Sequence, residues 1–192
     1  VKICGLKAPD RIAAAVAGGV RYIGLVFFPR SPRAVTPVQA AALAQLVPER
    51  VIKVGLFVDP EDDLLVEVLA HVSLDLIQLH GGESPDRVAR IKALTGLPVM
   101  KAIKVAKAED LDEAAAFDGV ADMLLFDAKA PKDMADALPG GNGLVFNWNL
   151  LAGRHWRQPW MLAGGLDAGN VVQAVTIAGA LAVDVSTGVE RA

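Results

Sequence analysis

The stretch Val1-Lys2-Ile3-Cys4-Gly5-Leu6-Lys7-Ala8-Pro9 separates two α/β architectures. It reads as a short apolar strand, a loop, and a helix pattern that opens at Pro9. An open, doubly wound dinucleotide-binding sheet should carry a Gly-x-Gly-x-x-Gly turn after its first strand, because the glycines let backbone approach a pyrophosphate. Gly5 is present, but the second and third glycines are not. The stretch also holds the only cysteine of the chain. A lone thiol excludes an intrachain disulfide and a cysteine-rich zinc site, which leaves Cys4 as a small buried filler or a catalytic group.

Outward from this strand, β-rich apolar runs recur at residues 1–4, 22–28, 51–58, 74–79, 99–105, 123–127, 160–163 and 181–185. Helical spacing fills most of the intervals, as parallel strands require. Thr36-Pro37 and Ser84-Pro85 set a capping hydroxyl before a proline at the first helical position, and Asp59-Pro60 offers a carboxylate in the same arrangement. Residues 9–17, 108–117 and 168–178 supply further helices, with Gly18-Gly19 and Gly96 as stops. The pattern predicts a (β/α)8 TIM barrel, although the chain is shorter than the roughly 250 residues usual for one. No segment for an eighth helix follows strand eight, so the expectation is one barrel domain over residues 1–192, trimmed at its carboxyl end. Residues 130–143 are rich in Pro and Gly and read as a mobile βα loop that could serve as a lid.

The 192 residues are 53% hydrophobic and 21% charged, with a net charge of -3. Charges of both signs are interspersed, so neither a nucleic-acid footprint nor a polybasic membrane patch is present. No apolar run approaches the roughly 20 residues of a spanning helix, and there is no signal-peptide pattern. A cytoplasmic protein with a small-molecule partner is the expectation. No His, Asp and Glu cluster has metal-ligand spacing, so neither metal nor cofactor is implied.

In such a barrel the chemistry sits at the carboxyl ends of the strands. Cys4 closes strand one, His80 follows strand four, Asp127 closes strand six, and Asp184 lies near the end of strand eight. Residues two apart share a face, which pairs Gln78 with His80, Leu125 with Asp127, and Asp184 with Ser186. A carboxyl ending an apolar strand either caps a turn or does chemistry, and Asp127 taken alone is open to both. A thiol and a carboxyl at two strand ends can act as a base and acid pair, for which the Cys4 pKa should fall below about 8.5. Gly164-Gly165 after strand seven and Ser186-Thr187-Gly188 after strand eight occupy the loops where this architecture often binds phosphate. Arg33, in the stiff loop Pro29-Arg30-Ser31-Pro32-Arg33, is either solvated or a bidentate clamp for a carboxylate.

Lys2-Ile3-Cys4-Gly5, Ser31-Pro32-Arg33, Gln78-Leu79-His80-Gly81, Leu124 to Asp127, Gly164-Gly165-Leu166 and Val183 to Glu190 occur in order along essentially the whole chain. In these motifs the chain resembles the phosphoribosylanthranilate isomerase family of tryptophan biosynthesis. The resemblance implies a TIM barrel that carries out a cofactor-free Amadori rearrangement of N-(5-phosphoribosyl)anthranilate. It also implies Asp127 as general acid, Cys4 as general base, Arg33 on the anthranilate carboxylate, and Gly165, Ser186 and Thr187 on the phosphate. His80 and Asp184 line the site. Asn147 and Ala163 depart from the Asp and Ser often found in that family, and its eighth helix has no counterpart here. Monomer, homodimer and part of a fused tryptophan-pathway enzyme all remain open. The nearest rival is the aminoaldose isomerase of histidine biosynthesis, which pairs two aspartates. A phosphate-ligand binding barrel without chemistry is the rival from another class.

Overall fold

In the computed structural model, which describes residues 1–131, 133–134 and 138–190, eight parallel strands form one sheet. They are β1 (Lys2–Cys4), β2 (Tyr22–Val26), β3 (Ile52–Phe57), β4 (Leu76–Leu79), β5 (Val99–Val105), β6 (Met123–Ala128), β7 (Trp160–Leu162) and β8 (Asp184–Val185). The strand order is β7-β6-β5-β4-β3-β2-β1-β8. A parallel bridge between Leu162 and Val183 brings the two edges together, so the sheet closes into a barrel.

Period-two alternation divides the side chains between two layers. Val54, Leu76, Met100, Ala102, Leu125, Met161 and Ala163 pack together inside the barrel. Their neighbours along the strands, such as Ile23, Leu25, Ile77, Leu79, Leu124 and Phe126, join the larger core shared with the helices. Those helices are α1 (Pro9–Ala17), α2 (Pro37–Ala44), α3 (Asp62–His71), α4 (Pro85–Thr95) and α5 (Val171–Ala178). Thr36 caps α2 in a reciprocal capping box with Gln39, and Ser84 accepts the Arg87 N–H at the start of α4. Gly96 ends α4 in the left-handed conformation.

Four sequence expectations are corrected. Asp59 does not cap α3: that helix starts two residues later, after Glu61, and has no side-chain cap bond. Asp59 instead sits at φ 44° and accepts the Gly82 N–H at 2.7 Å, tying the loops after β3 and β4 together. Residues 108–117 wind as a 3-10 helix, which the mixture of acidic residues and alanines did not reveal. Helix α5 begins at Val171 rather than at residue 168, because Asp167 and Asn170 form a hydrogen-bonded turn before it. Strand β8 is only two residues long, and Leu181, read as its start, is fully exposed.

Candidate active site

A cavity of about 320 Å³ opens at the carboxyl ends of the strands, within the size range of small-molecule sites. Cys4, Arg33, His80, Asp127, Gly164, Gly165, Asp184, Ser186, Thr187 and Gly188 all line it. Residues scattered over 185 positions of sequence are thus brought to one mouth because each lies on a strand near its carboxyl end or in the loop that follows. Residues 138–144 also line the cavity. All but Leu144 belong to the loop read as a lid, of which residues 132 and 135–137 lie outside the described residues.

The Asp127 carboxyl is buried at the end of β6. Its Oδ1 accepts the Ala128 N–H at 2.9 Å, and its Oδ2 lies 3.0 Å from His80 Nε2. Gln78 stands behind the imidazole, its amide nitrogen 3.1 Å from His80 Nδ1. The imidazole thus lies between the Gln78 amide and the Asp127 carboxyl, and the two contacts fix the plane of the ring. Gly140 passes so close above this pair that a Cβ there would meet His80 Nε2 at 2.6 Å and Asp127 Oδ2 at 2.8 Å. Any larger residue at 140 would displace the loop from the carboxyl it covers.

Cys4 faces into the barrel from β1, three strands from β6 by way of β8 and β7. The thiol is 7% exposed, and burial pushes its pKa up. The nearby Lys2 charge draws it down, Asp184 opposes that effect, and Arg33 assists it. The net direction is upward, which corrects the expectation of a lowered thiol pKa. Space for the sulfur comes from Gly24 on β2, where a Cβ would lie 2.7 Å from Sγ.

Arg33 reaches the mouth with its guanidinium already engaged. Nε and Nη2 donate to the two Glu190 carboxylate oxygens at 2.7 and 2.8 Å, and Nη2 also donates to Thr187 Oγ1 at 3.1 Å. The Thr187 hydroxyl in turn donates to the Gly141 carbonyl, so the loop from β6 is stitched to the loop from β8. Gly164 and Gly165 both have positive φ, and a bridge between Asp167 and Gly188 joins their loop to the one after β8. The two loops present backbone to one side of the cavity, a geometry suited to an anion.

Three participants escaped the sequence reading. Lys2 is fully buried, and its ammonium donates to Asp184 Oδ1 at 2.8 Å. Its position two residues before Cys4 puts it on the inward face, a signal that alternation alone contained. Glu190 was visible in its motif but had no assigned partner. Gly140 carried no signal beyond its place in a breaker-rich loop.

An eight-stranded parallel barrel whose thiol, carboxyl, arginine and glycine-rich loops share one cavity at the strand ends defines a TIM-barrel enzyme with a small-molecule pocket. The family described as N-(5'-phosphoribosyl)anthranilate (PRA) isomerase matches residues 1–192, and the chain belongs to that family, whose members are isomerases of the aldose-ketose type in tryptophan biosynthesis. The N-(5'-phosphoribosyl)anthranilate isomerase of Rhodospirillum centenum is 65% identical over 99% of this chain and 88% of its own length. The enzyme of the same name from Paracoccus denitrificans is 61% identical over 100% and 88%. Among solved structures, the phosphoribosyl anthranilate isomerase of Thermotoga maritima superposes with a TM-score of 0.87 at 31% identity, covering 100% of this chain and 89% of its own. Another, a phosphoribosyl anthranilate isomerase in complex with reduced 1-(o-carboxyphenylamino)-1-deoxyribulose 5-phosphate, has a TM-score of 0.82 at 29% identity and covers 100% and 88%.

Proposed function

We propose that the chain converts N-(5-phosphoribosyl)anthranilate to 1-(2-carboxyphenylamino)-1-deoxyribulose 5-phosphate by a cofactor-free Amadori rearrangement, with Asp127 as general acid and Cys4 as general base. The observation that carries this reading is the placement of that carboxyl and that thiol on different strands around one cavity, in a chain matched by the family along its whole length. Asp127 gives its proton to the furanose ring oxygen, the C1–O bond breaks, and the anthranilate nitrogen takes up the positive charge as an iminium. Cys4, as thiolate, removes the proton from C2, and the electron pair flows into the iminium to give an enolamine. Ketonisation moves the O2 proton away and places one on C1. Carbon 1 is reduced as carbon 2 is oxidised, so the reaction needs no external electrons.

His80 orients the acid through Nε2. Gly164, Gly165, Ser186, Thr187 and Gly188 take the phosphate through backbone N–H groups and hydroxyls. The substrate carboxylate takes the place of Glu190 on Arg33, exchanging one bidentate ion pair for another. A positioned acid or base contributes about 10²–10⁴-fold. Loss of anthranilate fluorescence with the phosphoribosyl substrate should therefore fall by at least about 100-fold in Cys4→Ser and in Asp127→Asn. Full activity in either variant removes the role assigned to that residue. The histidine-pathway aminoaldose, run in parallel, tests which substrate the pocket prefers.

A further inference from the structure

Nothing in the reaction as written uses the most deeply buried charge beside the thiol. Lys2 is 0% exposed and lies on the same face of β1 as Cys4, one inward position before it. Its ammonium donates at 2.8 Å to Asp184, the residue directly opposite it in the β1–β8 register. Taking two such charges out of water costs several kcal/mol per ion, and an apolar pair of the same volume is often as stable. The apolar cluster inside the barrel is built from Val, Leu, Met and Ala, and this charged pair adds no apolar packing to it.

We propose that Lys2 is a positioning residue for the reaction: held in place by Asp184, its ammonium is the cation against which Cys4 gives up its proton and acts as thiolate. The proposal rests on the assignment of Cys4 as the base. Burial disfavours the thiolate, and a fixed positive charge in a low-dielectric surrounding is what offsets it. The charged groups that act on the sulfur come from three elements: Lys2 on β1, Asp184 on β8, and Arg33 in the loop after β2. His80 and Asp127 line the same cavity from β4 and β6. Arg33 is held by Glu190, which leaves Lys2 as the cation whose charge draws the thiol down most. Burial works to lower the Lys2 pKa, but Asp184 offsets it and holds the ammonium protonated, which keeps Lys2 from acting as a proton acceptor in place of the thiol.

Because Cys4 is the only cysteine, thiolate absorbance near the far-ultraviolet edge titrates this one group, with Cys4→Ser as the blank. In Lys2→Met, of similar length and without charge, the thiol midpoint should rise by at least about one pH unit. The acid limb of the kcat/KM profile should move with it, so that activity lost near neutrality, about tenfold, returns at alkaline pH. Asp184→Asn should shift the thiol midpoint the other way, since the thiolate becomes the only anion beside Lys2. A purely structural role for the pair predicts no such opposition of sign. If Lys2→Met does not fold, Lys2→Met/Asp184→Asn leaves no unpaired buried charge, and its midpoint should still lie above that of the unaltered protein. A folded variant lacking Lys2 whose thiol midpoint is unchanged or lower overturns the proposal. Full turnover by Cys4→Ser instead overturns the assignment of the base, while the titration separately reports whether Lys2 governs the thiol.

Discussion

Two lysines of this barrel are fully buried on strands, and both end on a carboxylate: Lys2 on Asp184 at 2.8 Å and Lys101 on Glu83 at 2.9 Å. The contacts are nearly the same, but they lie on opposite faces of the sheet. Lys2 points inward beside Cys4. Lys101 belongs to the outer layer, where its ammonium also donates to the Gly81 carbonyl at 2.8 Å and stands 5.6 Å from the Phe117 ring centre. Glu83 completes that arrangement by accepting the Asp59 and Gly81 N–H groups at 2.8 and 3.0 Å. The outer pair therefore fixes the backbone of two βα loops, one of them immediately past His80. The inner pair places a charge beside the thiol proposed as the base. Which face a strand residue occupies, set by a period of two, decides whether a buried ion pair braces the loops outside or stands beside the cavity.

Lys101→Met is the substitution with the largest expected effect on this contrast. It leaves Glu83 buried without its cation, a situation that typically costs about 3–5 kcal/mol. Burial works to raise the Glu83 pKa, but Lys101 and the backbone N–H groups together hold it below the ordinary value. A carboxyl with a depressed folded pKa adds stability above its unfolded pKa, and that stability is lost as pH falls through the folded pKa. The penalty in Lys101→Met should be larger at pH 7 than at about pH 4, because burial without the cation favours uptake of a proton by Glu83 as pH falls. Urea unfolding at the two pH values measures it. The thiol titration of the folded variant should match that of the unaltered protein, and a shift like the one expected for Lys2→Met would erase the distinction between the two faces.

A third lysine pair sharpens the comparison at the surface. Lys129, about half exposed, donates to Asp110 Oδ1 at 2.6 Å, while Asp110 Oδ2 accepts the N–H groups of Ala106 and Lys107 at the start of the 3-10 helix. Burial acts to raise the Asp110 pKa, but these partners hold it down at about 2. Asp110→Ala should cost about 1 kcal/mol at neutral pH, in line with the loss of a helix cap. With a depressed folded pKa, the Asp110 contribution is complete above about pH 4 and fades as pH falls toward 2, so the two proteins should converge in acid. Lys129→Met should cost less than Asp110→Ala, because the backbone bonds survive it and an exposed partner contributes little.

The strands and most helices were legible because their signals are local: β-rich runs, proline at the first helical turn, and a hydroxyl before it. Asp59 misled for a physical reason. Its carboxylate resembles a helix cap in sequence, but the Gly82 N–H of the next βα loop competes for it and wins. The cavity residues could be named because a barrel gathers its strand ends, so position along a strand stands in for position in space. Partners were not legible. Nothing local told that Lys2 meets a carboxylate 182 residues away, or that Arg33 meets one 157 residues away. The rise in the Cys4 pKa was missed for the same reason, since burial is a property of the closed barrel and not of Lys-Ile-Cys-Gly.

Arg33 carries the comparison to the rim, where the smallest effect is expected. Its side chain is largely buried, yet its partner Glu190 is about half exposed, and the pair joins the loop after β2 to the loop after β8. The Arg33 hydrogen bonds hold the Glu190 pKa below its ordinary value, so the pair is intact at neutral pH. In the proposed reaction, a substrate carboxylate that binds Arg33 displaces this internal one. Exposed and partly exposed pairs contribute about 0.2–1 kcal/mol, so removing the competitor should tighten substrate binding by no more than about fivefold. Glu190→Gln keeps the side-chain volume and loses the charge. KM for the phosphoribosyl substrate should fall in this variant with kcat nearly unchanged, whereas Arg33→Met should raise KM by removing the guanidinium itself. A rise in KM for Glu190→Gln would mean that Glu190 holds Arg33 in its productive orientation, which would make this rim pair a brace like Lys101–Glu83.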